Sequence, residues 1–150
     1  MAKVKKLDLA LQGGGAHGAY TWGVIDRLLA DERIEIEGIS GTSAGAMNGV
    51  VMADALTRGD KETARQALYD FWKAVSRAGM TSPIRRTPLD ILTGNWSLDN
   101  SPGFIAMDLL SRVASPYQLN PLNINPLRDI VAEHIDFERV RKCEQLKLFV

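Results

Sequence analysis

Apolar and polar residues follow two different periods along the N-terminal part of the chain, and the switches between them mark the elements. From about Lys3 to Gln12 an apolar stretch runs into Gly13, Gly14 and Gly15, which predicts a buried strand entering a tight turn. From Ala16 to about Ala30, Tyr20, Trp22, Val24, Ile25, Leu28 and Leu29 recur at helical spacing, and Asp31 and Glu32 mark the exit. Ile34, Ile36 and Ile39 make a short β-branched segment, a second strand that ends at Ser40 and Gly41. A helical pattern follows from Ser43 to about Leu56. It is rich in small residues (Ala44, Gly45, Ala46, Gly49, Ala53, Ala55) that let a neighbouring backbone come close. Strand, helix, strand, helix in that order predicts an α/β fold, a parallel-type sheet flanked by helices in a three-layer α/β/α arrangement.

Further along, Asp60 is a good N-cap for a third helix from about Lys61 to Arg77. Its apolar face is Ala64, Ala67, Leu68, Phe71 and Val75, with Trp72 at the edge and Gly79 as the stop. Residues 80–103 lack periodicity and contain Pro83, Pro88 and Pro102, so they read as an irregular surface loop or a candidate lid. Helices are expected over Phe104 to Val113 and Pro126 to His134, with Pro116, Pro121 and Pro126 punctuating the gap. Leu146, Leu148, Phe149 and Val150 read as a core strand with no turn after it. Residues 1–150 are therefore expected to be the N-terminal part of a single domain whose sheet is not yet complete.

Composition narrows the function classes. Apolar residues at 45% and charged residues at 24% suit a globular chain rather than a disordered one. Eighteen basic side chains face 18 acidic ones, which argues against nucleic acid as a partner. A lone Cys143 excludes an internal disulfide framework and a cysteine-based zinc site; no metal and no cofactor is expected. No apolar run is long enough to span a bilayer. The basic N-terminus is followed by too short and interrupted an apolar stretch for a signal peptide, so the default address is the cytoplasm. Lys3, Lys5, Lys6, Arg85 and Arg86 fit a solvated surface or a contact with anionic lipid at a membrane periphery.

Two glycine motifs carry the chemistry. Gly13-Gly14-Gly15-Ala16-His17-Gly18 falls at the first strand-to-helix turn, where free backbone amides and a helix N-terminus favour a negative charge, either a phosphate or a developing oxyanion. Gly41-Thr42-Ser43-Ala44-Gly45 is a G-x-S-x-G pattern at the second such turn. A nucleophile elbow places its serine there, exposed on a strained backbone, and needs small residues two places either side. In a parallel sheet successive strand ends share an edge, so the glycine amides and Ser43 are expected to be neighbours, the arrangement for acyl transfer. Rival readings exist for each motif. Ser43 also suits an ordinary helix N-cap. Gly13, Gly15 and Gly18 also match the G-x-G-x-x-G of a Rossmann-like dinucleotide-binding module, with Glu35 or Glu37 near the acidic place, but that leaves Gly41 to Gly45 unexplained. His17 is read as shaping the loop or meeting substrate, and His134 as solvated or capping, ahead of either being a general base. Trp22 and Trp72 read as packing residues, and Trp96 as core or as lining for an acyl pocket.

The segment from Leu9 to Ala53, with its G-G-G-x-x-G loop and G-x-S-x-G about 25 residues later, resembles the start of the patatin-like phospholipase family. The resemblance implies a serine acyl hydrolase of lipid esters that works through a Ser–Asp dyad without a catalytic histidine. By motif match, Ser43 would be the nucleophile. The amides of Gly13, Gly14, Gly15 and Ala16 would form the oxyanion hole, and Gly41 and Gly45 would support the elbow. His17 holds a place that is often basic in the family. One departure matters: the family's aspartate lies in a D-G-G or D-G-A motif, and no Asp here precedes Gly. The base is therefore expected outside this chain, the C-terminal half of the domain becomes an expected partner, and these residues alone are expected to be nearly inactive.

Overall fold

The computed structural model describes residues 4–80, 82, 86–95, 97–112 and 123–150. In strand β1 (Lys5–Leu11), Leu7, Leu9 and Leu11 are half-buried while Lys6, Asp8 and Ala10 are exposed. That alternation packs one face of the strand and leaves the other open, so β1 is less enclosed than its apolar content predicts. Strand β2 (Ile34–Gly41) lies parallel to β1. Leu7 is opposite Ile36 and Leu11 opposite Gly41, and a bulge at Leu7/Asp8 leaves Glu37 without a partner in the ladder. Strand β3 (Lys147–Phe149) pairs in parallel on the far side of β2, giving the order β1-β2-β3. Leu146, just before β3, is buried and Leu148 packs half-buried against the core, but Phe149 and Val150 are exposed, so the strand meets the core through one residue.

The crossover from β1 to β2 is helix α1 (Gly18–Leu29), entered through a single 3-10 turn at Gly15–His17. Ile25 and Leu29 face the core, whereas Tyr20 and Val24 remain exposed. Helix α2 (Ala44–Arg58) is the central element: every residue from Asn48 to Leu56 is buried. Its small residues do what their size predicts. A Cβ on Gly49 would stand 2.7 Å from Leu148 Cδ1, so helix and sheet approach closely there. The core gathers Ile36 and Ile39 of β2, Val51, Met52 and Leu56 of α2, and Leu68 and Phe71 of helix α3 (Lys61–Met80). Asp60 begins α3 as expected, accepting from the Thr63 amide at 3.0 Å. The helix runs through Gly79 instead of stopping there. An added Cβ at Gly79 would meet nothing, and the residue is a weak helix former rather than a terminator in this setting.

The chain divides into two compact units, residues 1–75 with 128–150 and residues 76–127. Among its described residues the second unit holds two helices. Helix α4 (Pro88–Leu92) opens on a capping box in which Thr87 and Asp90 satisfy each other's backbone, and α5 (Pro102–Ser111) opens on Ser101. The segment 80–103 thus holds a short helix that its proline content concealed. The buried Asp90 also accepts from Asn95 and Asn100. These bonds, first of all the one from Thr87, lower its carboxyl to about 2.

Helix α6 (Pro126–His134) matches its predicted span. A further helix, α7 (Phe137–Arg141), is capped by Asp136 and has too few residues to show a period. Its Arg139 donates to the fully buried Asp54 at 2.7 Å, and Arg58 reaches the same carboxylate at 2.9 Å. Among the described residues no helix is long and apolar enough to cross a membrane.

Candidate active site

Two turns at the carboxyl ends of β1 and β2 build the site. The Thr42 amide donates to the Leu11 carbonyl at 3.1 Å, which carries the strand pairing one residue beyond Gly41. The chain then reverses at Ser43, whose backbone sits at φ 52°, ψ −120°. A positive φ at a residue with a Cβ stores on the order of 1–3 kcal/mol and persists only where the surroundings enforce it. They do so here by crowding. A Cβ on Gly41 would lie 2.8 Å from the Ala46 nitrogen, and one on Gly45 would lie 2.3 Å from the Leu11 carbonyl oxygen. Ser43 holds the N-cap place of α2, yet its side chain makes no cap bond and is exposed. The ordinary N-cap reading of this serine therefore fails.

The glycine loop lies against this turn. A Cβ on Gly13 would be 3.1 Å from Ser43 Cβ and 3.8 Å from its Oγ, so Gly13 leaves open the space beside the hydroxyl. Gly15 adopts φ 55°, a left-handed conformation that favours glycine, with open space where a side chain would be. Among the described residues no acceptor takes the Gly13 or Gly14 amide. The amides of Gly15 and Ala16 open the 3-10 turn, where no earlier turn supplies a carbonyl. His17 is exposed. Its amide and its Nδ1 both meet the Gly14 carbonyl, each at 3.1 Å, so it shapes the loop from within.

Gly18 closes the motif for a different reason. Its φ is −58°, but a Cβ there would stand 2.6 Å from Ala44 Cβ and 2.7 Å from the Trp72 ring. The Gly18 carbonyl accepts from Asn48 Nδ2 at 3.1 Å, and Asn48 Oδ1 accepts from the Trp72 indole at 2.7 Å. Asn48 was not among the residues the sequence singled out, and neither was Asp54. The signal was present in both cases, because each is a polar residue inside the stretch from Ala44 to Leu56 that is otherwise apolar, and such a residue needs a buried partner.

The remaining candidates lie elsewhere. His134 donates through Nδ1 to the Ile130 carbonyl at 2.9 Å and packs edge-on to Phe71. Trp22 is half-buried against Tyr69, and Trp72 is buried, so both are packing residues as expected. Glu37, one of the two acids in the dinucleotide reading, is ion-paired with Lys6. Lys3, Arg85, Trp96 and the prolines 116 and 121 fall outside the described residues. A cleft of about 660 Å³ is lined by residues including Arg58, Asp60, Asp70 and His134. It sits at the C-terminal end of α2, roughly 22 Å along the helix from Ser43, and has no part in the arrangement above. Among the described residues no group of acids, histidines or cysteines could hold a metal ion.

An exposed serine on a strained strand-to-helix turn of a parallel α/β sheet is the arrangement that α/β hydrolases use. The patatin-like phospholipase family profile matches residues 9–149, and the chain belongs to that family, one of lipid acyl hydrolases. Neither the curated proteins nor the solved structures yield a match to the chain.

Proposed function

We propose that this protein cleaves acyl esters of lipids or phospholipids through a serine nucleophile and an aspartate base. Ser43 Oγ attacks the ester carbonyl as its proton passes to the aspartate. The carbonyl oxygen becomes an oxyanion, held by the amides of Gly13, Gly14, Gly15 and Ala16. Collapse of the tetrahedral adduct expels the alcohol, which takes the proton back, and leaves an acyl-Ser43 ester. The same carboxylate then activates water to release the fatty acid. Each aligned amide contributes about 3 kcal/mol to the barrier lowering. The aspartate belongs to a D-G-G or D-G-A motif supplied from outside residues 1–150, and without it the serine is a poor nucleophile.

One observation carries this reading: an exposed Ser43 at φ 52° with the space beside its Oγ kept open by Gly13. The dinucleotide alternative gives that strained serine no task. In the full-length protein a fluorophosphonate is expected to label Ser43, and Ser43→Ala is expected to abolish the label. Labelling that survives the substitution refutes the assignment. The 150-residue chain on its own is expected to hydrolyse p-nitrophenyl esters poorly, and brisk turnover by it would place the base within these residues.

A further inference from the structure

We propose that Asn48 is a positioning residue that clamps the start of α1, and with it the glycine loop, against the helix that begins at Ser43. The proposal rests on the acyl-transfer reading of that loop.

The loop is held at two ends. Before it, the Leu11 carbonyl takes the Thr42 amide at 3.1 Å, which fixes the end of β1 to the residue preceding Ser43. After it, the Gly18 carbonyl takes Asn48 Nδ2 at 3.1 Å. Residues 12–17 bridge these two pins, and both pins join the loop to the same turn-and-helix unit that carries Ser43. Contact with Ala44 and Trp72 brings Gly18 near α2, but apolar contact is non-directional. The hydrogen bond from Asn48 adds direction and fixes the register of the α1 entry along α2.

The chemistry of the clamp requires a carboxamide. An indole N–H only donates and a peptide carbonyl only accepts, so the group between them must accept on one side and donate on the other. Because Trp72 can only donate, it orients the amide: Oδ1 faces the indole and Nδ2 is left for Gly18. Asn48 and Trp72 are buried, at 0% and 7% exposure, so water does not compete for either bond.

The test uses the full-length protein and Asn48→Asp, which keeps shape and the acceptor toward Trp72 but loses the donor toward Gly18 when ionised. Its kcat on a short p-nitrophenyl ester is expected to fall about a hundredfold near pH 8, the cost of a misplaced oxyanion donor, with KM within about twofold. Acidification that protonates the new carboxyl is expected to restore part of the loss, relative to the unsubstituted protein at the same pH. Trp72→Phe, which leaves the Asn48–Gly18 bond possible but unoriented, is expected to lie between the two. Hydrogen exchange supplies a readout independent of turnover: the amides of His17 and Gly18, which are hydrogen-bonded within the loop, are expected to exchange about fivefold faster in Asn48→Asp than in the parent, with β2 unchanged. Unchanged exchange in that loop overturns the clamp, as does a kcat that holds or a loss that tracks only thermal stability. If the parent protein is not labelled at Ser43, the acyl-transfer reading falls, and the exchange experiment still decides whether Asn48 pins the loop.

Discussion

At the scale of single residues, the glycines sort into those a side chain would collide with and those it would not. A Cβ on Gly45 would stand 2.3 Å from the Leu11 carbonyl oxygen, which is backbone of a paired strand and has nowhere to retreat. Gly45→Ala is therefore expected to destabilise by about 3 kcal/mol, the upper end of overpacking costs, and to lower Tm by roughly 10 °C in thermal unfolding. Gly23 lies within α1, and its added Cβ would meet nothing within 4 Å. Gly23→Ala is expected to stabilise by about 1 kcal/mol and to raise Tm by about 3 °C. An equal gain from the two substitutions would show that helix propensity, and not crowding at the elbow, governs both positions. The requirement at Gly41 was legible in the sequence because it arises locally, against Gly45 and Ala46, and the motif also named Gly45 although the obstructing Leu11 carbonyl is distant along the chain. The Asn48 contacts were not, because their partners stand 24 and 30 residues away and only folding brings them together.

At the scale of elements, two buried carboxylates hold helices in place by different means. Asp54 joins α2 to α7: Arg58 and Arg139 donate to its oxygens, and so does the Asp136 amide at 3.2 Å. Removing it strands the part-buried Asp136 amide and two guanidinium groups that are part-exposed and can turn to water. Asp54→Ala is therefore expected to cost about 2–3 kcal/mol, below the full penalty for an abandoned buried charge. A shift of the urea midpoint at constant m-value would measure that cost. Asp90 works within its own unit, with its charge satisfied by hydroxyl and amide donors from Thr87, Asn100 and Asn95. Those donors favour the ionised form, so the carboxyl titrates near 2 instead of the ordinary value near 4. A depressed native pKa stabilises the fold above the unfolded-state value and loses that contribution as pH falls through the native one. The contribution of Asp90 is thus present above about pH 4 and lost by about pH 2. In a carboxyl NMR titration the Asp90 midpoint is expected near 2 and to move toward 4 in Thr87→Ala and Asn100→Ala. A midpoint near 4 in the parent would remove the capping box as its cause. The helix Asp90 serves was hidden in the sequence by the prolines around it, although Thr87-Pro88-Leu89-Asp90 is a capping box in plain residues.

At the scale of the whole molecule, the order of elements in the N-terminal part was legible because it depends on local period and punctuation. Between residues 76 and 127, α5 was legible, expected over Phe104 to Val113 and found at Pro102–Ser111, whereas α4 was not, because its five residues show no period; the described apolar residues of both helices face outward. Phe104, Ile105, Met107, Leu109 and Leu110 of α5 and Leu89, Ile91 and Leu92 of α4 are all exposed, against a formal net charge of zero for the chain. These two facts lead us to predict an apolar rather than an ionic contact with lipid. A surface without net charge gains little from anionic headgroups, while each exposed leucine or phenylalanine that enters the acyl boundary gains about 1.5–3 kcal/mol. Sedimentation with vesicles is therefore expected to be as strong on phosphatidylcholine as on phosphatidylserine, and to change less than about twofold between roughly 0.05 and 0.5 M NaCl. The double substitution Leu109→Ser and Leu110→Ser is expected to weaken it about tenfold or more, since both side chains are exposed and each loses its own transfer energy. Binding that needs anionic lipid and washes off with salt would instead assign the contact to the basic residues Lys5, Lys6 and Arg86, and would leave the apolar face of α5 with no part in meeting the membrane.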